Sequence, residues 1–255
     1  MKEFISALPG YDFLYLGDSA RTPYGTRSFE SVYEFTLEGV KYLFNLGCHL
    51  VILACNTASA KALRTIQQQD LSQIDPNRRV LGVIRPTTEQ IGAFTKTGEI
   101  GIFATSGTVQ SGSYKIEIRK FSPQINVYEE ACPMWVPLVE NGELDNPGAD
   151  YFVKKHLNNL MQKHPDIDTI LLACTHYPLL IPTLRKHLKK KVKLVSQGPL
   201  AAERLGNYLQ RHPEIDIKCS KKARIDFLTT DNTEKFNEIG GRFFGSEIES
   251  KHVHL

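Results

Sequence analysis

Short apolar runs with strand character alternate with longer amphipathic segments along the whole chain. The predicted strands cover residues 12–16, 49–54, 79–84, 98–103, 125–129, 168–173, 192–196 and 224–229. The predicted helices cover residues 28–46, 57–69, 86–95, 107–120, 148–163, 178–189, 198–211 and 232–243. Parallel strands need helical crossovers, and these helices cover both faces of the sheet. The alternation therefore predicts an α/β fold built on mainly parallel sheets.

The length of 255 residues allows one large domain or two smaller ones, each with its own core. No linker or low-complexity stretch divides the chain. We expect two pseudo-symmetric lobes, each a mainly parallel sheet flanked by helices. The first lobe is predicted to comprise residues 1–96 plus 201–255, and the second residues 97–200. The chain would then cross tightly between the lobes near 96–98 and 196–200.

Composition excludes several classes of protein. The chain is 41% hydrophobic and 23% charged, and its formal net charge is only +3, which is too small to favour a nucleic-acid partner. No apolar run reaches membrane-spanning length, and the N-terminus has no signal-peptide pattern. The five cysteines are an odd number without CxxC spacing. They indicate free thiols in a cytoplasmic protein without a metal site.

Two predicted strands end in nearly the same way. Residues 52–57 read ILACNT and residues 171–176 read LLACTH, so each apolar run ends in Ala-Cys and is followed by hydroxyl or amide residues. Cys55 and Cys174 are separated by about the length of a small domain. This spacing favours two similar half-sites that face each other. Two thiols placed in this way suggest a reaction that needs an acid and a base on opposite sides of one substrate.

Each cysteine corner also has a purely structural interpretation. Cysteine after a buried strand is commonly a small apolar core residue. Asn56 and Thr57 could cap the first following helix and Thr175 the second. However, a cysteine at the carboxyl end of a parallel strand lies where ligands bind in open α/β folds. Core packing does not require the same residues at both corners, so the matched pair favours catalysis.

Motifs around these corners lie in one order almost from end to end of the chain. They are 17–25 (GDSARTPYG), 54–60 (ACNTASA), 82–86 (GVIRP), 105–108 (TSGT), 132–133 (CP), 140–142 (ENG) and 173–180 (ACTHYPLL). Together they resemble the glutamate racemase family, within the wider aspartate/glutamate racemase superfamily. PYG, ACNTASA and CTHYPLL are specific in combination, whereas each is weak alone.

The resemblance implies a cofactor-independent enzyme that interconverts L- and D-glutamate for peptidoglycan synthesis. It implies that Cys55 and Cys174 are catalytic, one thiolate removing the α-proton while the other thiol delivers a proton to the opposite face. His176 is implied to assist Cys174, with Glu140 behind it. The partners implied are glutamate and a second copy of the chain in a homodimer, with no nucleic acid and no membrane. The substrate-binding residues implied are Tyr24, Gly25, Asn56, Thr57, Thr105, Thr108, Thr175 and His176.

The N-terminus departs from the family pattern. The family begins with an apolar strand ending in Asp-Ser-Gly, which supplies substrate contacts and a carboxylate beside the first cysteine. Here residues 1–8 have the pattern of the last turns of a helix, and Asp18 belongs to the later Gly-Asp-x-Ala motif. Either a short helix docks on the sheet, or a first strand precedes Met1. The second alternative predicts an unpaired edge beside the strand that leads to Cys55, weak glutamate binding and slow turnover.

A smaller departure lies at 196–198 (SQG), where the family commonly has an acidic residue before Ser-Gly or a similar turn. Three other functions remain open. The chain could racemise another acidic amino acid such as aspartate, or it could be an inactive ligand-binding remnant of the fold. A redox or zinc role is least consistent with the sequence, because neither cysteine has a ligand partner at suitable spacing apart from His176.

Overall fold

A computed structural model describes all residues, 1–255, and contains nine strands. All eight predicted strands are present, and a short ninth strand was not predicted. The strands are β1 Phe13–Gly17, β2 Leu50–Leu53, β3 Arg79–Gly82, β4 Glu99–Ala104, β5 Asn126–Ala131, β6 Thr169–Ala173, β7 Lys193–Ser196, β8 Ile225–Thr229 and β9 Ser250–His252.

Fourteen α-helical segments connect or follow these strands. They are α1 Lys2–Ala7, α2 Phe29–Asn45, α3 Asn56–Lys61, α4 Leu63–Thr65, α5 Leu71–Ile74, α6 Ile84–Thr88, α7 Ser106–Ser111, α8 Ser113–Phe121, α9 Trp135–Glu140, α10 Pro147–Lys163, α11 Ile181–His187, α12 Gln197–Arg211, α13 Pro213–Asp216 and α14 Thr233–Phe244. Short 3-10 turns cover Ser19–Arg21, Tyr24–Thr26, Ile91–Ala93 and Tyr177–Leu180, and a π turn covers Ile66–Asp70.

Local sequence explains where the long helices begin and end. The Ser28 side chain accepts a hydrogen bond from the backbone N–H of Ser31 at 3.1 Å, which caps α2. Gly47, with φ of +91°, follows the end of this helix in the left-handed conformation that glycine adopts without strain. Asn146 caps α10 in the same way, accepting from the N–H of Ala149 at 2.8 Å.

Four predicted helices are divided in the structure. The segment predicted at 57–69 is divided into α3, α4 and a π turn, and the segment predicted at 86–95 contains the end of α6 and a 3-10 turn. The segment predicted at 107–120 forms α7 and α8, because Gly112 adopts a left-handed φ of +62° between them. The segment predicted at 178–189 starts as a 3-10 turn and becomes α-helical only at Ile181. In each of these places the apolar spacing identified a helical segment without showing where it is interrupted.

Every strand pairing is parallel, and the strands form three sheets. One sheet has the order β5-β4-β6-β7, the second β1-β8-β9, and the third is the pair β2-β3. Helices flank these sheets, so the predicted α/β class with two lobes is confirmed. One lobe contains the four-stranded sheet and the other contains the two smaller ones. The residue boundaries of the lobes stay a prediction.

The strand leading to Cys55 has one free edge. β2 pairs only with β3, so its other edge has no partner strand. β1 pairs with β8, and no hydrogen-bonded ladder joins β1 to β2. A free edge here is what the second N-terminal alternative predicted, whereas a short docked helix at residues 2–7 is what the first alternative predicted. α1 packs against α12, and its Phe4 shares an apolar cluster with Ala201 and Leu205.

The strand leading to Cys174 lies between two apolar clusters. Leu172 packs into the larger cluster, around Trp135, whereas Leu171 packs into a second cluster on the other face. Both leucines are fully buried, and burial of this kind stabilises the fold by about 1.5–3 kcal/mol per side chain. Because β6 is buried on both faces, the position of the residue after it, Cys174, is tightly fixed.

Candidate active site

Cys55 occupies the turn from strand β2 to helix α3. Cys55 is the N-cap of α3 and lies two positions after the end of β2. Burial raises the pKa of the Cys55 thiol, while the backbone amides of Ala58 and Thr57 at the helix start act in the opposite direction. The Cys174 sulfur is close enough that its charge also raises the pKa of Cys55.

Cys174 follows the end of β6 directly and is only 7% exposed. Negative charge on the Cys174 sulfur disfavours ionisation of Cys55. The arrangement therefore favours one thiolate and one thiol over two thiolates. Such a pair holds one base and one acid of the same chemical kind.

His176 bridges Cys174 and a carboxylate. Its Nδ1 lies 3.8 Å from the Cys174 sulfur, and its Nε2 lies 3.0 Å from Oε1 of Glu140. Burial lowers the pKa of His176, but the hydrogen bonds and charges of Cys174 and Glu140 outweigh it, so the pKa is raised to about 9. The imidazole is therefore charged at neutral pH and stabilises negative charge on the Cys174 sulfur. Phe243 of α14 packs edge-on against this ring at 5.2 Å.

Asn56 and Thr57 do not cap α3, contrary to the structural interpretation of the sequence. Cys55 holds the N-cap position, and no side chain accepts a capping hydrogen bond there. The Asn56 amide instead donates to Gln197 at 2.6 Å and accepts from Tyr114 at 2.6 Å. Asn56 and Thr57 are already the first two residues of the helix, so neither can be its N-cap.

Three threonine hydroxyls meet between the two lobes. Thr57 Oγ1 lies 2.9 Å from Thr105 Oγ1 and 3.3 Å from Thr108 Oγ1, and the last two lie 3.0 Å apart. Thr105 also caps α7 by accepting from the backbone N–H of Thr108 at 3.3 Å. All three residues are at least 92% buried. The structure thus brings together these three predicted substrate-binding residues, beside the start of the Cys55 helix.

The turn that contains Tyr24 and Gly25 packs onto the same region. A β-carbon on Gly25 would lie 2.8 Å from the β-carbon of Thr105, so this close approach requires glycine. The Tyr24 hydroxyl donates to the Asp18 carboxylate, and burial, this hydrogen bond and the nearby Cys55 all raise the pKa of Tyr24. Tyr24 is consequently a neutral hydrogen-bonding group close to Cys55.

Thr175 has a different environment from the one predicted. It was expected to help cap the second helix, but His176 holds the N-cap position of the 3-10 turn there and no side-chain cap forms. The Thr175 side chain is exposed, and its hydroxyl lies 3.4 Å from Nδ1 of His176. The expected capping role is wrong because the chain after Cys174 tightens into a 3-10 turn instead of an α-helix.

Two positioning residues were missed by the sequence reasoning. Asp18 was set aside, yet its carboxylate accepts hydrogen bonds from Tyr24, Arg21 and Thr230 and so anchors the Tyr24 turn. Its place in the GDSA motif was the available signal. Gln197 was noted only as a departure from the family pattern, although its buried side chain contacts Asn56.

The structure has no cluster of three or more histidine, cysteine, aspartate or glutamate side chains that could hold a metal ion. None of its helices combines the length and apolar character needed to cross a membrane.

This chain resembles known proteins in its sequence and in its structure. A model of the Asp/Glu/hydantoin racemase family matches residues 5–205. The chain belongs to this family of racemases. A glutamate racemase from Bacillus cereus is 38% identical over 255 residues, which is 100% of this chain and 91% of the relative. The chain is therefore an amino-acid racemase, and the Bacillus cereus relative matches it along its whole length.

Solved structures agree with this assignment. A glutamate racemase isoform from Bacillus anthracis is 33% identical, with a TM-score of 0.89 over 99% of this chain and 91% of that one. The glutamate racemase of Francisella tularensis, solved in complex with D-glutamate, is 30% identical, with a TM-score of 0.87 and the same coverage of both chains.

Proposed function

We propose that this racemase interconverts L- and D-glutamate without a cofactor, using Cys55 and Cys174 as the two acid–base groups. The observation that carries the proposal is the pair of electrostatically coupled thiols, each at the carboxyl end of a parallel strand. The relatives named glutamate racemase support glutamate as the substrate. Hydroxyl and amide groups of Asn56, Thr57 and Thr105 supply donors suited to carboxylates.

In the proposed reaction, one cysteine thiolate takes the proton from the α-carbon of glutamate. The C–H bond breaks and its electron pair is delocalised toward the α-carboxylate. The opposite thiol then gives its proton to the other face of the α-carbon, which forms the mirror-image amino acid. The first sulfur ends as a thiol and the second as a thiolate, so protons and charge balance. The next substrate of opposite hand reacts in the reverse direction.

The contribution of the protein in this scheme is placement and electrostatics. Positive charge on His176 stabilises the Cys174 thiolate, and Glu140 keeps that charge in place. At Cys55 the helix-start amides of Thr57 and Ala58 have the same effect. The two sulfurs are thus supported by different groups, a side-chain cation on one side and backbone dipoles on the other.

The proposal extends to the biological setting. We assign this racemase to the cytoplasm, where it supplies D-glutamate for peptidoglycan and acts as a homodimer. Residues 1–96 plus 201–255 and residues 97–200 are the proposed lobes, with the substrate between them.

The proposal is tested with Cys55→Ser and Cys174→Ser, assayed in both directions by circular dichroism of glutamate. Each variant is expected to lose racemisation in both directions, because serine is too weak an acid to replace either thiol. A second assay uses a glutamate analogue that carries a leaving group X on its β-carbon. Elimination of HX from this analogue needs only one base, so each variant is expected to retain it for one enantiomer of the analogue and lose it for the other. Cys219→Ser, far from both strand ends in sequence, is the matched control and keeps full activity.

Substantial racemisation by either active-site variant would contradict the two-thiol assignment. Binding of glutamate by wild-type protein without any racemisation would favour an inactive ligand-binding protein instead. Racemisation of aspartate with a higher kcat/KM than glutamate would correct the substrate and leave the mechanism intact.

A further inference from the structure

Gln197 links the two lobes beneath the first cysteine corner. It is the first residue of α12 and is only 8% exposed. Its Oε1 accepts from Nδ2 of Asn56 at 2.6 Å. Its Nε2 lies 3.2 Å from Oγ1 of Thr87, 3.3 Å from the carbonyl oxygen of Val83, and within hydrogen-bond distance of the Tyr114 hydroxyl.

The orientation of the Gln197 amide is dictated by two acceptors. The Val83 carbonyl oxygen has no hydrogen to donate. The Thr87 hydroxyl already donates its hydrogen to that same carbonyl at 3.1 Å, so toward Gln197 it can only accept. Nε2 must therefore face Val83 and Thr87, because the opposite orientation would place Oε1 against two acceptors in a buried site. Oε1 is left facing Asn56.

The fixed orientation of Gln197 sets the orientation of Asn56. Only Nδ2 of Asn56 can face Oε1 of Gln197, because two oxygens at 2.6 Å would repel each other. Oδ1 of Asn56 then accepts from the Tyr114 hydroxyl at 2.6 Å, while that hydroxyl accepts from Gln197. The three side chains form a closed ring of hydrogen bonds with a single direction.

One N–H of Asn56 is left over. A side-chain amide has two N–H donors, and the ring uses one of them together with the oxygen. Asn56 follows Cys55 immediately and starts the same helix. The remaining donor therefore belongs to the residue next to the proposed base.

We propose that Gln197 is a positioning residue for Asn56. The Val83 carbonyl fixes the orientation of the Gln197 amide, and Gln197 in turn fixes the orientation of the Asn56 amide. Asn56 therefore offers a donor and not an acceptor to a substrate carboxylate. Carboxylates only accept hydrogen bonds, so an Asn56 amide turned the other way would repel the substrate. The functional part of this inference rests on the proposed glutamate racemase activity, whereas the orientation of Asn56 does not.

The kinetic test uses Gln197→Glu and Gln197→Met, with Glu203→Gln on an exposed site of the same helix as the control. The carboxylate of Gln197→Glu would place a second acceptor against the Val83 carbonyl oxygen, so this side chain is expected to leave the pocket and release Asn56. The KM for glutamate is therefore expected to rise by about tenfold or more. Protonation restores a donor, so this rise should shrink as the pH is lowered. Gln197→Met has no titrating group, and its KM should be raised at every pH. In both variants kcat should change much less than KM.

A residue with a merely structural role would give a different result. Partial unfolding lowers the concentration of active enzyme, and so lowers apparent kcat without a pH-dependent KM. Thermal melting of each variant measures that contribution separately. A KM of Gln197→Glu equal to that of wild type, or raised equally at all pH values, would overturn the proposal.

A second measurement does not depend on racemase activity. The side-chain amide signals of Asn56 are assigned by NMR from their loss in Asn56→Asp, and their hydrogen exchange is followed in wild type and variants. Gln197→Met is expected to shift this pair and accelerate its exchange, whereas Glu203→Gln leaves it unchanged. An Asn56 pair that is unaffected by Gln197→Met would overturn the proposal. A changed Asn56 pair in a protein without racemisation would uphold the positioning role and refute the proposed function alone.

Discussion

Replacing Glu140 by glutamine removes the negative charge behind His176 while keeping the shape of the side chain. The Nε2–Oε1 distance is 3.0 Å. With full water screening, two unit charges at that distance attract by about 1.4 kcal/mol, which corresponds to about one pKa unit. Full screening applies because the Glu140 side chain is 34% exposed to solvent. The pKa of His176 should then fall from about 9 by roughly one unit.

The sign of the effect on activity follows from the charged form of the imidazole. In the proposed mechanism His176 assists Cys174 when it is protonated, so activity is expected to fall as the pH rises through its pKa. At pH 7 the wild type and Glu140→Gln both keep the ring mostly charged and should have similar kcat/KM. At about pH 8.5 the protonated fraction should be about threefold lower in the variant. The alkaline limb of its kcat/KM profile should therefore lie about one pH unit lower.

The assay is kcat/KM for D-glutamate between pH 6 and 10, compared with Glu203→Gln, which removes an exposed carboxylate elsewhere. The reasoning is refuted when the alkaline limbs of Glu140→Gln and wild type coincide. It is equally refuted when activity falls by the same factor at all pH values, since that pattern indicates lost positioning instead of lost charge.

Two further substitutions probe the packing between the lobes. In Gly107→Ala the new β-carbon would lie 2.8 Å from Nζ of Lys61 and 3.0 Å from the carbonyl oxygen of Gly25, so we expect a stability loss of about 1–3 kcal/mol and a raised KM. Gly10→Ala, with no atom within 4 Å, is the neutral control in denaturant unfolding and kinetics. Thr108→Val leaves two buried hydroxyls short of a partner, which should cost about 1–3 kcal/mol and lower Tm by about 2–4 °C per kcal/mol. An unchanged melting temperature would contradict a stabilising contribution from the hydrogen bonds among these three threonines.

The fold was largely predictable because its signals are local. Parallel strands buried on both faces leave continuous apolar runs, such as TILLA in β6, and the helices between them keep an apolar stripe. The short β9 was missed because Ser250–His252 has two exposed residues and no apolar pattern. The break at Gly112 was missed because glycine within a helical pattern does not by itself show where a helix is interrupted.

The candidate site was predictable where motif and strand end coincide. Cys55 and Cys174 could be selected from sequence because their strand ends repeat, and Glu140 was correctly placed behind His176. The capping interpretation of Asn56 and Thr175 was wrong because it was inferred from adjacent residues alone. Their partners, such as Gln197 and Tyr114, are distant in sequence, and only the packing of the two lobes brings them together.

The central claim is that two thiols on opposite faces move two different protons. The most direct test is racemisation of protiated L-glutamate and of protiated D-glutamate in deuterium oxide, stopped at low conversion, with mass analysis of each separated enantiomer. The account predicts deuterium at the α-carbon of the product in both directions, while the unreacted substrate keeps its protium. Product that retains the original protium, or substrate that exchanges as fast as product forms, would contradict it.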